Sequence, residues 1–125
     1  MPESIEKLLE LYANRYSEGD LQGIASLCVV PFVAVRKGEV TVMPDHGEVL
    51  THFAGAIDAY RRASGARTWS PRAITTTTLG EYSALATVHW NAVDDHGNVV
   101  RETSTSYQFL ATPDGWRLFS YTNHF

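Results

Sequence analysis

Cysteine is almost missing from this chain: among 125 residues only Cys28 carries a thiol. One thiol cannot close an intrachain disulfide, and without a second Cys or a Cys/His spacing there is no set of zinc ligands. A reducing, cytoplasmic setting is expected. Basic charge is also thin, with 10 Lys and Arg against 14 Asp and Glu and a formal net charge of -4. These basic residues are scattered, so the concentrated positive face that a phosphate backbone requires is lacking and nucleic acid is not expected as a partner. No stretch approaches the roughly 18 apolar residues of a membrane span. Met1-Pro2-Glu3-Ser4 lacks the basic start and apolar core of an export signal, and a soluble protein with no membrane partner is expected. There is no P-loop, Gly-rich dinucleotide fingerprint, HExxH pair or Ser-His-Asp arrangement, so neither a nucleotide cofactor nor a metal is expected.

What is present is an apolar fraction of 44%, enough at this length for one core and one domain over residues 1–125. Ile5, Leu8, Leu9, Tyr12 and Tyr16 recur at helical spacing between Ser4, a possible N-cap, and Gly19, a plausible stop. Asp20 can cap a short second helix bearing Leu21, Ile24, Leu27 and Cys28, ended by Val29-Val30-Pro31. Phe32 to Met43, β-branched on both sides of Lys37-Gly38, predicts a hairpin. Asp45 with Glu48 makes a capping box for a third helix carrying Val49, Leu50, Phe53, Ile57 and Tyr60 as far as Gly65. From Arg67 to Leu79 the four consecutive threonines favour a strand, and three more strands follow from Glu81 to Phe125. The order predicts an α+β fold: a cone-shaped, curved antiparallel sheet with three helices from the N-terminal half on its concave face.

The terminal meander decides which side chains face the hollow. Centring a turn on Asp114-Gly115 pairs Ala111 with Leu118, Phe109 with Ser120 and Tyr107 with Thr122. Centring the preceding turn on His96-Gly97 sets Val88 opposite Thr105, Ala86 opposite Tyr107 and Ala84 opposite Phe109. Side chains alternate, so one face collects Trp90, Thr105, Tyr107, Phe109, Trp116, Leu118, Ser120, Thr122 and His124. Its mixture of large rings with Ala84 and Ala86 leaves space, which marks it as the concave side. The expected ligand-binding set is therefore Phe53, Trp90, Phe109, Trp116, Ser120, Thr122 and His124, around a small, largely apolar molecule.

Tyr12 and Tyr107 are the catalytic candidates. Two phenols in a dry hollow can donate to a carbonyl or enolate oxygen; the plainer reading is a pair of core tyrosines bonded to each other or to backbone. His124 next to the end is expected to fray, and His46, His52 and His96 to meet solvent. Asp94-Asp95-His96 reads as turn chemistry. Arg36, beside Lys37-Gly38, is expected in solvent or holding a ligand carboxylate at the pocket mouth. The opposite sheet face gathers Leu85, Leu110, Phe119 and Tyr121 with Thr87 and His89, and its apolar character predicts a homodimer through that face.

Tyr12-Ala13-Asn14-Arg15-Tyr16-Ser17-Glu18-Gly19-Asp20-Leu21-Gln22-Gly23-Ile24, together with Asp114-Gly115-Trp116-Arg117-Leu118, resembles the SnoaL-like, nuclear-transport-factor-2-like superfamily. The resemblance spans nearly the whole chain. It implies the ketosteroid-isomerase-like, cystatin-like fold and leaves activity open, because the superfamily holds isomerases, cyclases, dehydratases, epoxide hydrolases and non-catalytic binding or assembly modules. Matched to the steroid isomerases, Tyr12 falls at their oxyanion-donating tyrosine, Tyr107 near their second donor, and Arg36 near their general-base aspartate. An arginine cannot serve as that base. The resemblance thus implies a cofactor-independent isomerase, cyclase or lyase acting on a carbonyl compound by another route, or else a non-catalytic module with a side-chain-filled pocket.

Overall fold

The computed structural model describes residues 4–125, and the expectation drawn from Met1 to Glu3 falls outside them. Helix α1 (Ile5–Glu18) begins where the Ser4 hydroxyl accepts the Lys7 N–H at 3.2 Å. It ends at Gly19, whose φ of 70° suits a residue without Cβ. Between these caps Ile5, Leu8, Leu9, Tyr12, Ala13 and Tyr16 are buried on one face. Asp20 caps α2 (Leu21–Ala25) by accepting from the Gly23 N–H at 2.9 Å. Helix α3 (His46–Ser64) starts with Asp45 accepting from the Glu48 N–H at 2.9 Å, buries Val49, Phe53 and Ile57, and stops at Gly65.

Six strands form one curved sheet: β1 (Cys28–Arg36), β2 (Glu39–Met43), β3 (Thr68–Leu79), β4 (Ser83–Val93), β5 (Val99–Thr112) and β6 (Gly115–Asn123). Their spatial order is β2-β1-β6-β5-β4-β3. Every pairing is antiparallel except β1 with β6, a parallel contact that joins the N-terminal hairpin to the C-terminal meander. Strand β1 begins four residues before the expected Phe32, because α2 closes at Ala25 and the β-branched Val29 and Val30 continue as strand.

The β4–β5 register is the expected one, with Ala84 opposite Phe109, Ala86 opposite Tyr107 and Val88 opposite Thr105. The β5–β6 register is not. Its turn sits one residue earlier, pairing Thr112 with Gly115 and Phe109 with Leu118; beyond that the register slips so that Gln108 faces Ser120. Phe119 is the extra residue of this β-bulge, and an odd insertion exchanges the two faces for everything after it. Tyr121 pairs with Tyr107 and Asn123 with Thr105. Tyr121, expected on the outer face, is therefore buried inside.

The core lies between α1, α2, α3 and the sheet, centred on Leu8, Leu9, Ile24, Phe32, Val49, Phe53, Val88, Phe109 and Leu118, each below 2% exposure. Burial of one such side chain contributes about 1.5–3 kcal/mol, enough for these few positions to fix how the helices seat.

Candidate functional site

A cavity of about 490 Å³ remains between α1, α3 and the concave side of the sheet. Its existence follows from residue size. Along α3, Gly55, Ala56, Ala59 and Ala63 flank the buried Phe53, and these short side chains keep the helix surface away from the rings opposite. Most of the bulk of the remaining wall is aromatic: Tyr12 and Tyr16 from α1, Phe53 and Tyr60 from α3, and Trp69, Trp90, Tyr107 and Tyr121 from the sheet.

On one wall the Trp90 Nε1–H donates to the Tyr107 hydroxyl at 3.1 Å. An indole N–H can only donate, so this phenol keeps its own hydrogen for a second oxygen. Tyr12 packs edge-on against Tyr107 with centroids 5.6 Å apart. Burial pushes the Tyr107 phenol well up, against the opposing pull of the Trp90 bond and of the neighbouring Tyr12 and Thr105 hydroxyls. Burial, reinforced by the nearby Tyr107, does the same to Tyr12. Both phenols are therefore protonated donors at neutral pH.

From α3, His52 Nε2 lies 2.5 Å from the hydroxyl of Tyr121, the cross-strand neighbour of Tyr107. Burial lowers the His52 imidazole from its ordinary 6.5, so it is neutral near pH 7. The Tyr121 phenol is raised by its own burial and stays protonated. The site thus carries both phenol donors and a neutral imidazole, the two kinds of group that proton transfer at a carbonyl compound needs.

Among the expected site residues, Tyr12, Phe53, Trp90 and Tyr107 line the cavity. The others do not. Phe109 points to the correct side but is packed with 0% exposure beneath the cavity floor. Trp116, half-buried against the core, sits at the turn end of β6 and away from the cavity walls. Ser120 and Thr122 are carried to the other face by the bulge at Phe119. His124 is held there as well, its N–H bonded to the Ser104 carbonyl at 3.0 Å and its Nε2 2.8 Å from Ser106 Oγ, so it is anchored where fraying was expected.

The wall also includes Tyr16, Arg36, His52, Tyr60, Trp69, Arg101, Thr103, Tyr121 and Asn123, none of which the sequence reading assigned to the ligand-binding set. Two signals for them exist. His52, Ala56, Ala59 and Ala63 share one helical stripe, next to that of Val49, Phe53 and Ile57; and Leu118 and Tyr121, three apart in one strand, can both face inward only if a bulge intervenes. Of the other histidines, His46 Nε2 lies 3.1 Å from the Cys28 carbonyl and His89 Nδ1 lies 2.6 Å from Ser104 Oγ on the outer face. Asp94 accepts from the backbone of His96 and Asn98, which is turn chemistry. Among the described residues no group of three His, Cys, Asp or Glu is placed to hold a metal ion, and no helix is long and apolar enough to cross a membrane.

The helices on a curved sheet and the aromatic cavity between them define a protein of the cystatin-like, NTF2-like class. Residues 2–125 match the family described as NTF2-like protein (DUF6841), and the chain belongs to that family. Among solved structures it is similar to an NTF2-like protein with a cystatin-like fold from Novosphingobium aromaticivorans, at 22% identity and a TM-score of 0.74 over 95% of this chain and 77% of that one. It is similar to a candidate dehydratase of the NTF2-like family from Streptomyces avermitilis, at 20% identity and a TM-score of 0.72 over 95% and 91%. A candidate ketosteroid isomerase from Shewanella frigidimarina is 16% identical, with a TM-score of 0.71 over 94% and 92%. At these identities the likeness establishes the fold and carries no activity across. No curated protein matches the chain significantly.

Proposed function

We propose that this chain is a cofactor-independent, small-molecule-binding protein whose cavity takes a largely apolar compound and presents a carbonyl oxygen to the phenols of Tyr107 and Tyr12. The observation that carries this reading is a cavity of about 490 Å³ left open where aromatic residues meet the short side chains of α3. A cavity of that size forgoes packing contacts and so costs stability, a cost that a bound ligand offsets. The chemistry best supported is enolisation, isomerisation or elimination at a carbonyl compound. Neutral His52, with its Nε2–H donated to the Tyr121 hydroxyl, accepts at Nδ1 a proton from carbon adjacent to the carbonyl, while Tyr107 and Tyr12 donate hydrogen bonds to the oxygen on which charge develops. His52 thereby takes the role left vacant by arginine at position 36.

The test is a thermal-shift screen of cyclic ketones, paired with proton NMR of deuterium exchange at their α-carbons. A ligand specific for the folded state raises its apparent stability. Wild type gains stability with at least one ketone and exchanges its α-protons; a cavity-filled Ala56→Trp variant does neither, and His52→Gln binds without exchanging. If no ketone stabilises the wild type, or if Ala56→Trp responds equally, the binding reading fails. Exchange undiminished in His52→Gln removes the imidazole from the chemistry.

The outer sheet face supports a second property, a homodimer. Leu85 is 40% exposed there, with Leu110 and Phe119 half-buried beside it. Light scattering on the eluting protein should give twice the chain mass; a monomer at micromolar concentration rules this interface out. The lone buried Cys28 suits a reducing, cytoplasmic setting.

A further inference from the structure

Resting on that reading of the cavity, we infer that the ligand is a monoanion, an apolar ring system bearing a carboxylate held at the cavity mouth by Arg36 and Arg101. Both guanidinium side chains line the cavity, and no Asp or Glu does. Their strands bring them to the same end of the sheet. Arg36 closes β1 beside the last residues of β6, where Val35 pairs with Thr122. Arg101 opens β5 beyond the Thr105–Asn123 pair. A smaller outer hollow of about 310 Å³ shares Tyr60, Arg101, Thr103 and Asn123 with the main cavity, so this end is the opening.

Neither arginine forms a salt bridge with a described residue, although Arg62, Arg67 and Arg72 each do. What holds them is ring faces. Arg36 lies 4.9 Å from the centroid of Phe125 and Arg101 lies 5.1 Å from that of Tyr60. A guanidinium stacked on a ring keeps its planar edge of N–H donors for a bidentate anion. Of the acids at this end, Glu39 is the cross-strand partner of Arg36 but forms no salt bridge with it, and Glu102 faces the outer hollow, 3.5 Å from Arg72 Nε. The mouth therefore carries two guanidinium groups without a salt-bridge partner among the described residues, with Lys37 Nζ over the same Phe125 ring as Arg36, and the other residues lining the cavity are uncharged at neutral pH. A carboxylate at that mouth leaves the ring system among Tyr12, Phe53 and Trp90, with its far end toward Tyr107.

The test compares 2-naphthoate with 2-naphthamide, two probes of one shape that differ in charge, by isothermal titration against the wild type and Arg36→Met/Arg101→Met. The wild type should bind the naphthoate about 10-fold more tightly than the amide. In the double variant that ratio should fall to about one with amide affinity unchanged. Raising the salt should shrink the ratio in the wild type, a readout independent of how the variant folds. Equal affinity for both probes, or a preference that survives the double substitution and added salt, overturns the anion proposal and leaves the cavity reading standing. Binding of neither probe overturns both.

Discussion

The Tyr121 hydroxyl lies 2.5 Å from Nε2 of His52, a contact between a strand residue and a helix residue 69 positions apart. It exists because the bulge at Phe119 turns Tyr121 inward. Were β6 regular through Phe119, Ser120 would pair with Tyr107 and take the inward place, and the imidazole would look onto a short hydroxyl. A backbone irregularity thus decides which side chain His52 meets in the cavity.

Acid should weaken the fold through His52. Burial holds its folded-state value below the unfolded 6.5, so in the window just beneath 6.5 the unfolded chain binds the extra proton. Its contribution to stability is full above that value and drains as pH falls toward the lower folded value. Urea midpoints at about pH 7.5 and about pH 5.5 should drop more for wild type than for His52→Gln. Parallel losses would show that His52 does not titrate differently on folding.

Tyr107→Phe should cost about 1–3 kcal/mol, because it strands the Trp90 Nε1–H, whose residue is only 4% exposed. Tyr12→Phe keeps that bond and should cost less, about 0.5–1.5 kcal/mol. Denaturant unfolding measures both, and the reverse order would contradict Tyr107 as the hub.

Gly23→Ala should cost about 0.5–2 kcal/mol although Gly23 has an ordinary backbone conformation. A Cβ there would run into the Asp20 carboxylate and approach Arg15 Cδ to 2.8 Å, so Asp20 would have to release the Gly23 N–H that caps α2. A Gly23→Ala/Asp20→Ala double variant should lose little beyond Asp20→Ala alone, since both remove one cap.

Cys28 should be inert in the native state. The thiol is 3% exposed and burial pushes it up to about 12, leaving almost no thiolate at neutral pH. Reaction with a water-soluble disulfide reagent should follow global unfolding; immediate modification would reveal an opening of β1.

Much of the fold was legible because its signals are local. Ser4, Asp20 and Asp45 cap the helices, Gly19 and Gly65 end two of them, and the β4–β5 register follows from one turn. The site was legible only in part, since Tyr12, Phe53, Trp90 and Tyr107 sit on regular elements whose periodicity can be counted. Strict alternation across β6 carried Ser120, Thr122 and His124 inward and Tyr121 outward, the reverse of their places. Trp116 was lost for another reason: the alternation gives its face, but not how far along the cone the cavity extends. Arg36 was open between solvent and the pocket mouth, and Arg101 required knowing that the end of β1 and the start of β5 lie at one end of the sheet, a relation carried by β6 lying between them.

The most direct test of the cavity is an NMR spectrum with nitrogen-15 in the indoles, since the chain has 3 tryptophans. On adding 2-naphthoate, the Trp69 and Trp90 indole signals should move, because both side chains line the cavity, while that of Trp116 stays in place. A shift confined to Trp116, or saturable binding that leaves Trp90 unmoved, would contradict the account.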